Sequence, residues 1–312
     1  MRDKMKLIKD TEEFIRHAAS SVVTIGVFDG VHRGHQAIIN TCVSRARERG
    51  VPSVVLTFDR NPRKVISSEF PCVLTSREYK FELIESLGVD YTIMVRFDER
   101  FAALAPEEFC REILVEHLNA VLVCIGKNFR FGAGGRGDVL SLADEGKRLG
   151  FGVGIVQLVA SKRGVISSTL VRTMINEGRI VEVTDALGRP YSVVGNVVKG
   201  HSRGKGLGFP TANLRLERDF CVPKDGVYAG KAVLGENKYL CAANVGSNPT
   251  FGDLENVVEV YLLDFEGDIY GESVEVEFHH RLRDEIPFES ENDLVSQMRN
   301  DVSSARALLE KP

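Results

Sequence analysis

The sequence predicts two domains of different fold class, a mixed α/β domain with a parallel sheet and then an all-β domain that ends in a helix. Three observations carry this. The chain has 312 residues, room for about two domains at ~150 residues each. In the first half, continuous apolar runs of strand length alternate with helix-like stretches, the rhythm of βαβ units whose sheet is covered on both faces. From about Tyr191 the rhythm becomes short alternating runs with Gly, Pro and Asn between them, as in an antiparallel sheet, a sandwich or a small barrel.

The elements of the first half follow in order. Val22–Phe28 reads as a buried strand, and Gly34 to Arg49 as a helix with Ala37, Ile38, Cys42 and Val43 on its apolar side. Val54–Phe58 is the next strand, Arg77 to Leu87 a helix, and Tyr91–Val95 a strand. Pro106, well suited to a first helical turn, opens a helix that runs to His117. Val121–Ile125, a helix near Leu140–Leu149 and Val153–Val156 complete the pattern. In the second half the strands are Tyr191–Val198, Gly226–Leu234, Tyr239–Val245, Val257–Asp264 and Ser273–Phe278. An amphipathic helix over about Ser290 to Leu309 closes the chain, with Ser290 or Asn292 as its cap. The joint lies near Leu187-Gly188-Arg189-Pro190.

Composition excludes several classes. Lys+Arg 40 against Asp+Glu 44 leaves a net charge of -4, so the basic footprint of a nucleic-acid binder is missing. No apolar run approaches the ~20 residues of a membrane span. The charged start, Met1-Arg2-Asp3-Lys4-Met5-Lys6, does not read as a secretory signal. The six cysteines are scattered with no Cys-x-x-Cys pair, so reduced thiols in a cytoplasmic protein are expected, not a disulfide frame or a zinc site.

The most informative stretch runs from Thr24 to His35, at the carboxyl end of the first strand and the start of the first helix. Ligands bind there in open α/β sheets. Gly26, Gly30 and Gly34 allow tight turning and close approach of backbone to a ligand. The helix start offers free N–H groups and partial positive charge to a phosphate. His32 and His35, three apart, share one face of the first helical turn and could donate hydrogen bonds to phosphate oxygens as charge builds. No Walker A pattern is present, which argues against a P-loop enzyme. In the second half, five glycines fall between Gly195 and Gly208, as where backbone wraps a phosphate. Thr211 and Asn213 follow, two apart on an extended segment, so their hard oxygens point the same way and could ligate Mg²⁺ beside substrate phosphates.

The run Gly26-Val27-Phe28-Asp29-Gly30-Val31-His32-Arg33-Gly34-His35 resembles the HxGH-type nucleotidyltransferases, specifically the adenylylating module of bacterial bifunctional riboflavin kinase/FAD synthetases. Ile166-Ser167-Ser168-Thr169-Leu170-Val171-Arg172 is similar to that family's second signature. The resemblance implies that Gly26, Phe28, Asp29, Gly30, Gly34, Ser167, Ser168 and Thr169 bind ATP, with Ser and Thr capping a helix, and that His32, His35 and Arg172 are catalytic, Arg172 holding the triphosphate. Lys127-Asn128-Phe129-Arg130-Phe131-Gly132 with Gly137-Asp138 is similar to a family segment in which Asp usually stands at the position of Asn128. That makes Asn128, Arg130 and Asp138 candidates for the flavin side, together with Asn61 in the loop after the second strand.

The Gly-rich stretch running into Gly208-Phe209-Pro210-Thr211-Ala212-Asn213 closely resembles riboflavin kinases. It implies ATP binding by Gly200, Lys205, Gly206, Pro210, Thr211 and Asn213, the last two also holding Mg²⁺. Lys205 stands where the family often has Arg, so the charge is kept and the bidentate fork lost. Pro223–Tyr228, Asn244–Gly252, Val258–Phe265 and Gly267–Gly271 are further matches, and Glu259 falls at the family's catalytic glutamate, the general base for the riboflavin hydroxyl. Arg281, Arg283 and the C-terminal helix suit either a flavin pocket or a solvated face.

The resemblance thus implies a Rossmann-like nucleotidyltransferase domain over residues 1–186 and an all-β Greek-key barrel of riboflavin-kinase type with a C-terminal helix over residues 187–312. It implies phosphorylation of riboflavin by ATP to FMN, then adenylylation of FMN by ATP to FAD and pyrophosphate, with Mg²⁺, in a cytoplasmic enzyme that engages neither nucleic acid nor membrane. A related nucleotidyltransferase with another phosphate acceptor would not need the Gly-Phe-Pro-Thr-Ala-Asn segment. A flavin-sensing or RNA-binding regulator with dead catalysis would be expected to have lost one of His32, His35, Arg172, Thr211, Asn213 and Glu259, and all are present.

Overall fold

The protein is described from a computed structural model, covering residues 4–59, 71–199, 208–216, 220–247 and 256–310. The chain divides into two compact units, Met1–Pro71 with Ser76–Ser167, and Cys72–Thr75 with Ser168–Pro312.

The first unit holds a six-stranded, all-parallel sheet. Its strands are β1 (Lys6–Ile8), β2 (Ser21–Ile25), β3 (Ser53–Phe58), β4 (Tyr91–Val95), β5 (Ala120–Gly126) and β6 (Gly152–Val156), in the order β1-β4-β3-β2-β5-β6. Between them run α1 (Thr11–Phe14), α2 (Arg33–Arg49), α3 (Arg77–Ser86), α4 (Glu99–Ala103), α5 (Pro106–Glu108) and α6 (Val139–Leu149). The period of two sends Val23, Ile25, Val54, Leu56, Ile93, Val123 and Ile125 to one face, against Phe14, Phe109, Leu114 and Leu118. Val22, Val55 and Cys124 go to the other, against Ile39, Cys42 and Val43 of α2 and Ile84 of α3. Both faces are covered, which is why β2 and β3 read as unbroken apolar runs. The helix expected from Pro106 to His117 starts as α5 and then widens into a π-helix over Phe109–His117. A short hairpin, β7 (Ala160–Ser161) and β8 (Gly164–Val165), follows β6.

The second unit begins with α7 (Ser168–Asn176) and α8 (Ile180–Leu187), which pack on each other and, through α8, on the barrel that follows. The alternatives left open for the second half resolve to a closed antiparallel barrel. Its strands are β9 (Tyr191–Val198), β10 (Ala212–Leu216), β11 (Gly226–Leu234), β12 (Asn237–Ser247), β13 (Asn256–Leu262) and β14 (Ser273–Arg283), closed in the order β10-β13-β12-β11-β14-β9. Val193, Leu214, Ala243, Val245, Val258, Val260, Val276 and Phe278 are among its buried residues, and Tyr228 meets Phe278 edge-on at 5.3 Å. The C-terminal helix α9 (Glu291–Leu309) is capped by Ser290, whose hydroxyl accepts the Asp293 N–H. It packs on β11, β12 and β14. Arg283 grips the buried Asp301 of α9 through Nε at 3.0 Å and Nη2 at 2.7 Å, and Arg281 pairs with Asp284 at 2.7 Å, so both arginines serve the barrel's own packing.

One expectation is overturned. Cys72 and Cys221 form a disulfide across 149 residues of sequence, while Cys42, Cys110, Cys124 and Cys241 are free and buried. The two meet because Val73 bridges Phe220 and the Cys221 N–H donates to the Val73 carbonyl at 3.0 Å. Spacing along the chain detects local cysteine pairs and is blind to such a remote one. Among the described residues, no helix is long and apolar enough to cross a membrane.

Candidate active sites

The first site is the turn between β2 and α2. Backbone is forced into the left-handed region at Phe28 (φ 51°), Gly30 (φ 82°) and Val31 (φ 37°). For Phe and the β-branched Val this conformation costs roughly 1–3 kcal/mol each, and such strain clusters where a ligand must be met in a fixed geometry. The turn folds back so tightly that a Cβ on Gly26 would lie 3.0 Å from the Phe28 ring. A Cβ on Gly34 would lie 3.1 Å from the His32 ring and 3.4 Å from the Ile166 carbonyl. A side chain at either position would press on a ring of the turn, and the second signature segment starts against the first.

His32 caps α2: its Nδ1 accepts the His35 backbone N–H at 3.2 Å. A nitrogen that accepts cannot carry the proton, so neutral His32 holds its proton on Nε2. The two rings stack with centroids 3.6 Å apart, and Phe28 packs edge-on against His35 at 5.2 Å. His32 and Asp29 are buried. Burial, then His32, then Lys80 hold the His35 imidazole well below the usual histidine range, so it is neutral at pH 7. Its Nδ1 is buried and has no hydrogen-bond partner among the described residues. A buried orphan of this kind costs about 1–3 kcal/mol and suits a ligand atom.

Ser167 is half-buried at the end of the first unit. Ser168, Thr169 and Arg172 lie on α7 in the second unit, where the Arg172 Nε donates to the Cys72 carbonyl at 2.7 Å. Of the flavin-side candidates, Asn128 follows β5, with its Oδ1 3.4 Å from where a Cβ on Gly126 would stand. Asp138 is committed to capping α6, accepting from the Leu140 and Ser141 N–H groups, and Arg130 sits 3.7 Å from it. Asn61 lies outside the described residues.

The second site is a row across the barrel wall. Asn213 of β10 pairs in register with Glu259 of β13, and Glu259 with Asn244 of β12. Their flanking neighbours Ala212, Leu214, Val258, Val260, Ala243 and Val245 are buried in the core, so the row projects from the opposite face. All three are half-buried. The Asn244 amide donates to Glu285 Oε1 at 3.1 Å. Thr211 is half-buried just before β10, beside the exposed Pro210, and Phe209 meets the Tyr261 ring at 5.3 Å. Gly200, Lys205 and Gly206 lie outside the described residues, as do residues 248–252 of the Asn244–Gly252 match.

Two residues escaped the sequence reading. Asn244 opens the Asn244–Gly252 match, and its register against Glu259 is the signal that finds it. Lys80 reads as an ordinary helical lysine but is buried beneath the first site, and no local pattern reveals that.

Known proteins with these features agree on both halves. A family model described as FAD synthetase matches residues 14–170, and one described as riboflavin kinase matches residues 187–309. A bifunctional riboflavin kinase/FMN adenylyltransferase of Escherichia coli K12 is 37% identical over 305 residues, covering 97% of each chain. That of Listeria monocytogenes is 38% identical over 297 residues, covering 94% of this chain and 93% of the relative. A crystal structure described as a macrolide-efflux protein from Streptococcus pneumoniae superposes with a TM-score of 0.88 at 33% identity, covering 97% of this chain and 99% of that one. The chain belongs to the family of bifunctional riboflavin kinase/FMN adenylyltransferases, transferases that phosphorylate riboflavin to FMN and adenylylate FMN to FAD.

Proposed function

We propose that the turn bearing His32 and His35 carries adenylyl transfer and that the Asn213–Glu259 row carries riboflavin phosphorylation, within functional modules of residues 1–186 and 187–312. The observation that carries the assignment is the stacked imidazole pair, His32 buried and His35 half-buried, at the carboxyl end of the central strand β2.

In adenylyl transfer an ionised FMN phosphate oxygen attacks the α-phosphorus of ATP, the new P–O bond forms, and the α–β bridging bond breaks to release pyrophosphate. The attacking oxygen is already anionic, so no general base is needed, and positioning and charge stabilisation suffice. His32, with its proton on Nε2, and the neutral His35 donate hydrogen bonds to phosphate oxygens as charge moves onto them. Ser167, Ser168, Thr169 and Arg172 hold the triphosphate, the last by a charged fork. Gly26, Phe28, Asp29, Gly30 and Gly34 shape the turn around the nucleotide. Asn61, Asn128, Arg130 and Asp138 stand on the flavin side.

In phosphorylation Glu259 takes the proton of the riboflavin 5′-hydroxyl as its oxygen attacks the γ-phosphorus and ADP leaves. Gly200, Lys205, Gly206 and Pro210 bind ATP. Among the described residues, no group of three or more His, Cys, Asp or Glu is placed to hold a metal ion. The hydroxyl of Thr211 and the amide oxygen of Asn213 are hard donors, the set that suits Mg²⁺ held partly by substrate phosphates. Mg²⁺ held there would neutralise phosphate charge. The enzyme engages riboflavin, FMN and ATP and neither nucleic acid nor membrane, and its use of ATP fits the cytoplasm.

The test is an assay of the purified full chain with riboflavin, ATP and Mg²⁺, resolving FMN from FAD. Glu259→Ala should abolish FMN formation and leave FAD synthesis from supplied FMN nearly intact, and His32→Ala should do the reverse. Loss of both reactions in either folded variant would break the two-site assignment.

A further inference from the structure

Lysine is among the residues least often buried, because removing an ammonium from water costs several kcal/mol. Lys80 on α3 is nevertheless only 9% exposed. Its Nζ reaches the Val27 carbonyl at 3.4 Å, Thr57 Oγ1 at 3.3 Å and the Phe58 carbonyl at 3.4 Å. Thr57 Oγ1 in turn donates to the same Val27 carbonyl at 3.2 Å. These acceptors lie at the carboxyl ends of two adjacent parallel strands. Val27 leads into the histidine turn, and Phe58 is the last residue of β3.

We propose that Lys80 is a positioning residue for adenylyl transfer: its buried ammonium ties the end of β2 to the end of β3 and so fixes the backbone from which the histidine turn starts. The inference rests on the reading that the histidine turn carries that reaction. Its ammonium is spent on the Val27 and Phe58 carbonyls and Thr57 Oγ1, so it acts through the backbone at the two strand ends. A purely structural tie between two strands would be served by an apolar side chain with no charge to bury. A cation here adds positive charge at neutral pH under a site that, on that reading, gathers a nucleoside triphosphate and a flavin phosphate.

The charged and titratable groups around it are Asp29 from the turn, His35 from α2, Asp59 from the end of β3, and Arg77 from its own helix. Burial lowers the ammonium, Asp29 and Asp59 hold it up and Arg77 lowers it, with a net value of about 8. Lys80 is therefore charged at neutral pH and loses its charge as pH rises through about 8. The kcat/KM of a pH profile reports the free enzyme, so that loss is read there.

The experiment uses the full chain with Lys80→Met and Lys80→Arg, assaying FAD from FMN and ATP, and FMN from riboflavin and ATP, between pH 6.5 and 9.5. Lys80→Met should lower adenylylation kcat/KM by about 10²-fold, the scale of a misplaced site, with riboflavin phosphorylation within about two-fold of wild type. The wild type should lose adenylylation above about pH 8, and Lys80→Arg, permanently charged, should restore activity and lack that alkaline limb. Wild-type adenylylation by Lys80→Met would overturn the proposal. So would an unchanged alkaline limb in Lys80→Arg, which decides the matter even if the Met variant misfolds. His32→Ala separates the two layers: if it leaves FAD synthesis intact, the site reading fails; if it stops FAD synthesis while Lys80→Met does not, Lys80 alone fails.

Discussion

His32 Nδ1 accepts the backbone N–H of His35 at 3.2 Å while the two imidazoles stack at 3.6 Å, so one histidine is both the cap of α2 and half of the imidazole pair proposed to carry adenylyl transfer. The two roles separate by substitution. Asn caps a helix as well as any residue, whereas Ala caps poorly and costs about 1 kcal/mol. His32→Ala should therefore lower the unfolding free energy by about that amount and His32→Asn should not. Neither supplies an imidazole N–H, so both should lose adenylyl transfer by roughly 10²–10³-fold, the usual effect of removing one charge-stabilising donor. Urea unfolding beside an FAD assay checks the pair.

His35 makes the fold acid-sensitive. Its folded imidazole is held well below the ordinary value of about 6.5, chiefly by burial, so in mild acid the unfolded chain binds a proton that the folded chain refuses. Stability is fully present above about pH 6.5 and falls as pH drops from there towards the folded value, by up to ~1.4 kcal/mol per pH unit. His35→Gln should remove this component of the slope. Chemical denaturation of both proteins between pH 5 and 7.5 measures it.

What the sequence made legible follows the range of the interactions involved. The runs of β2, β3 and β5 announced themselves because both faces of the sheet are covered, and β9 and β11 were bounded to the residue by their alternation and flanking turns. The widening at Phe109–His117 was invisible, since a π-helix needs no composition of its own. β10 is a five-residue strand behind a Gly-rich stretch and was read only as extended. At the sites, the histidine pair and Glu259 were legible through motifs. Lys80 and the Cys72–Cys221 pair were not, because burial and remote pairing are made by the fold and leave no local trace.

The disulfide predicts a thiol count and a stability change. Denatured, unreduced protein should titrate four free thiols, not six. Closing so long a loop restricts the unfolded chain by up to about 5 kcal/mol on the chain-entropy account. Reduction, or Cys221→Ser, should therefore lower the melting temperature. Thiol titration under denaturant and thermal scans with and without reductant test both.

The register Asn213–Glu259–Asn244 predicts how the proposed kinase site fails. Glu259→Gln keeps the size of the side chain and its place in the row but cannot take up the hydroxyl proton. Riboflavin phosphorylation should fall by about 10²–10⁴-fold in kcat, the range of general-base catalysis, with KM for riboflavin little changed. Asn213→Ala leaves the base and removes a hard oxygen beside it, so its defect should deepen as Mg²⁺ is lowered, whereas that of Glu259→Gln should not. Steady-state kinetics across Mg²⁺ concentrations separate the two residues; a Glu259→Gln enzyme with wild-type kcat would remove Glu259 from the role of base.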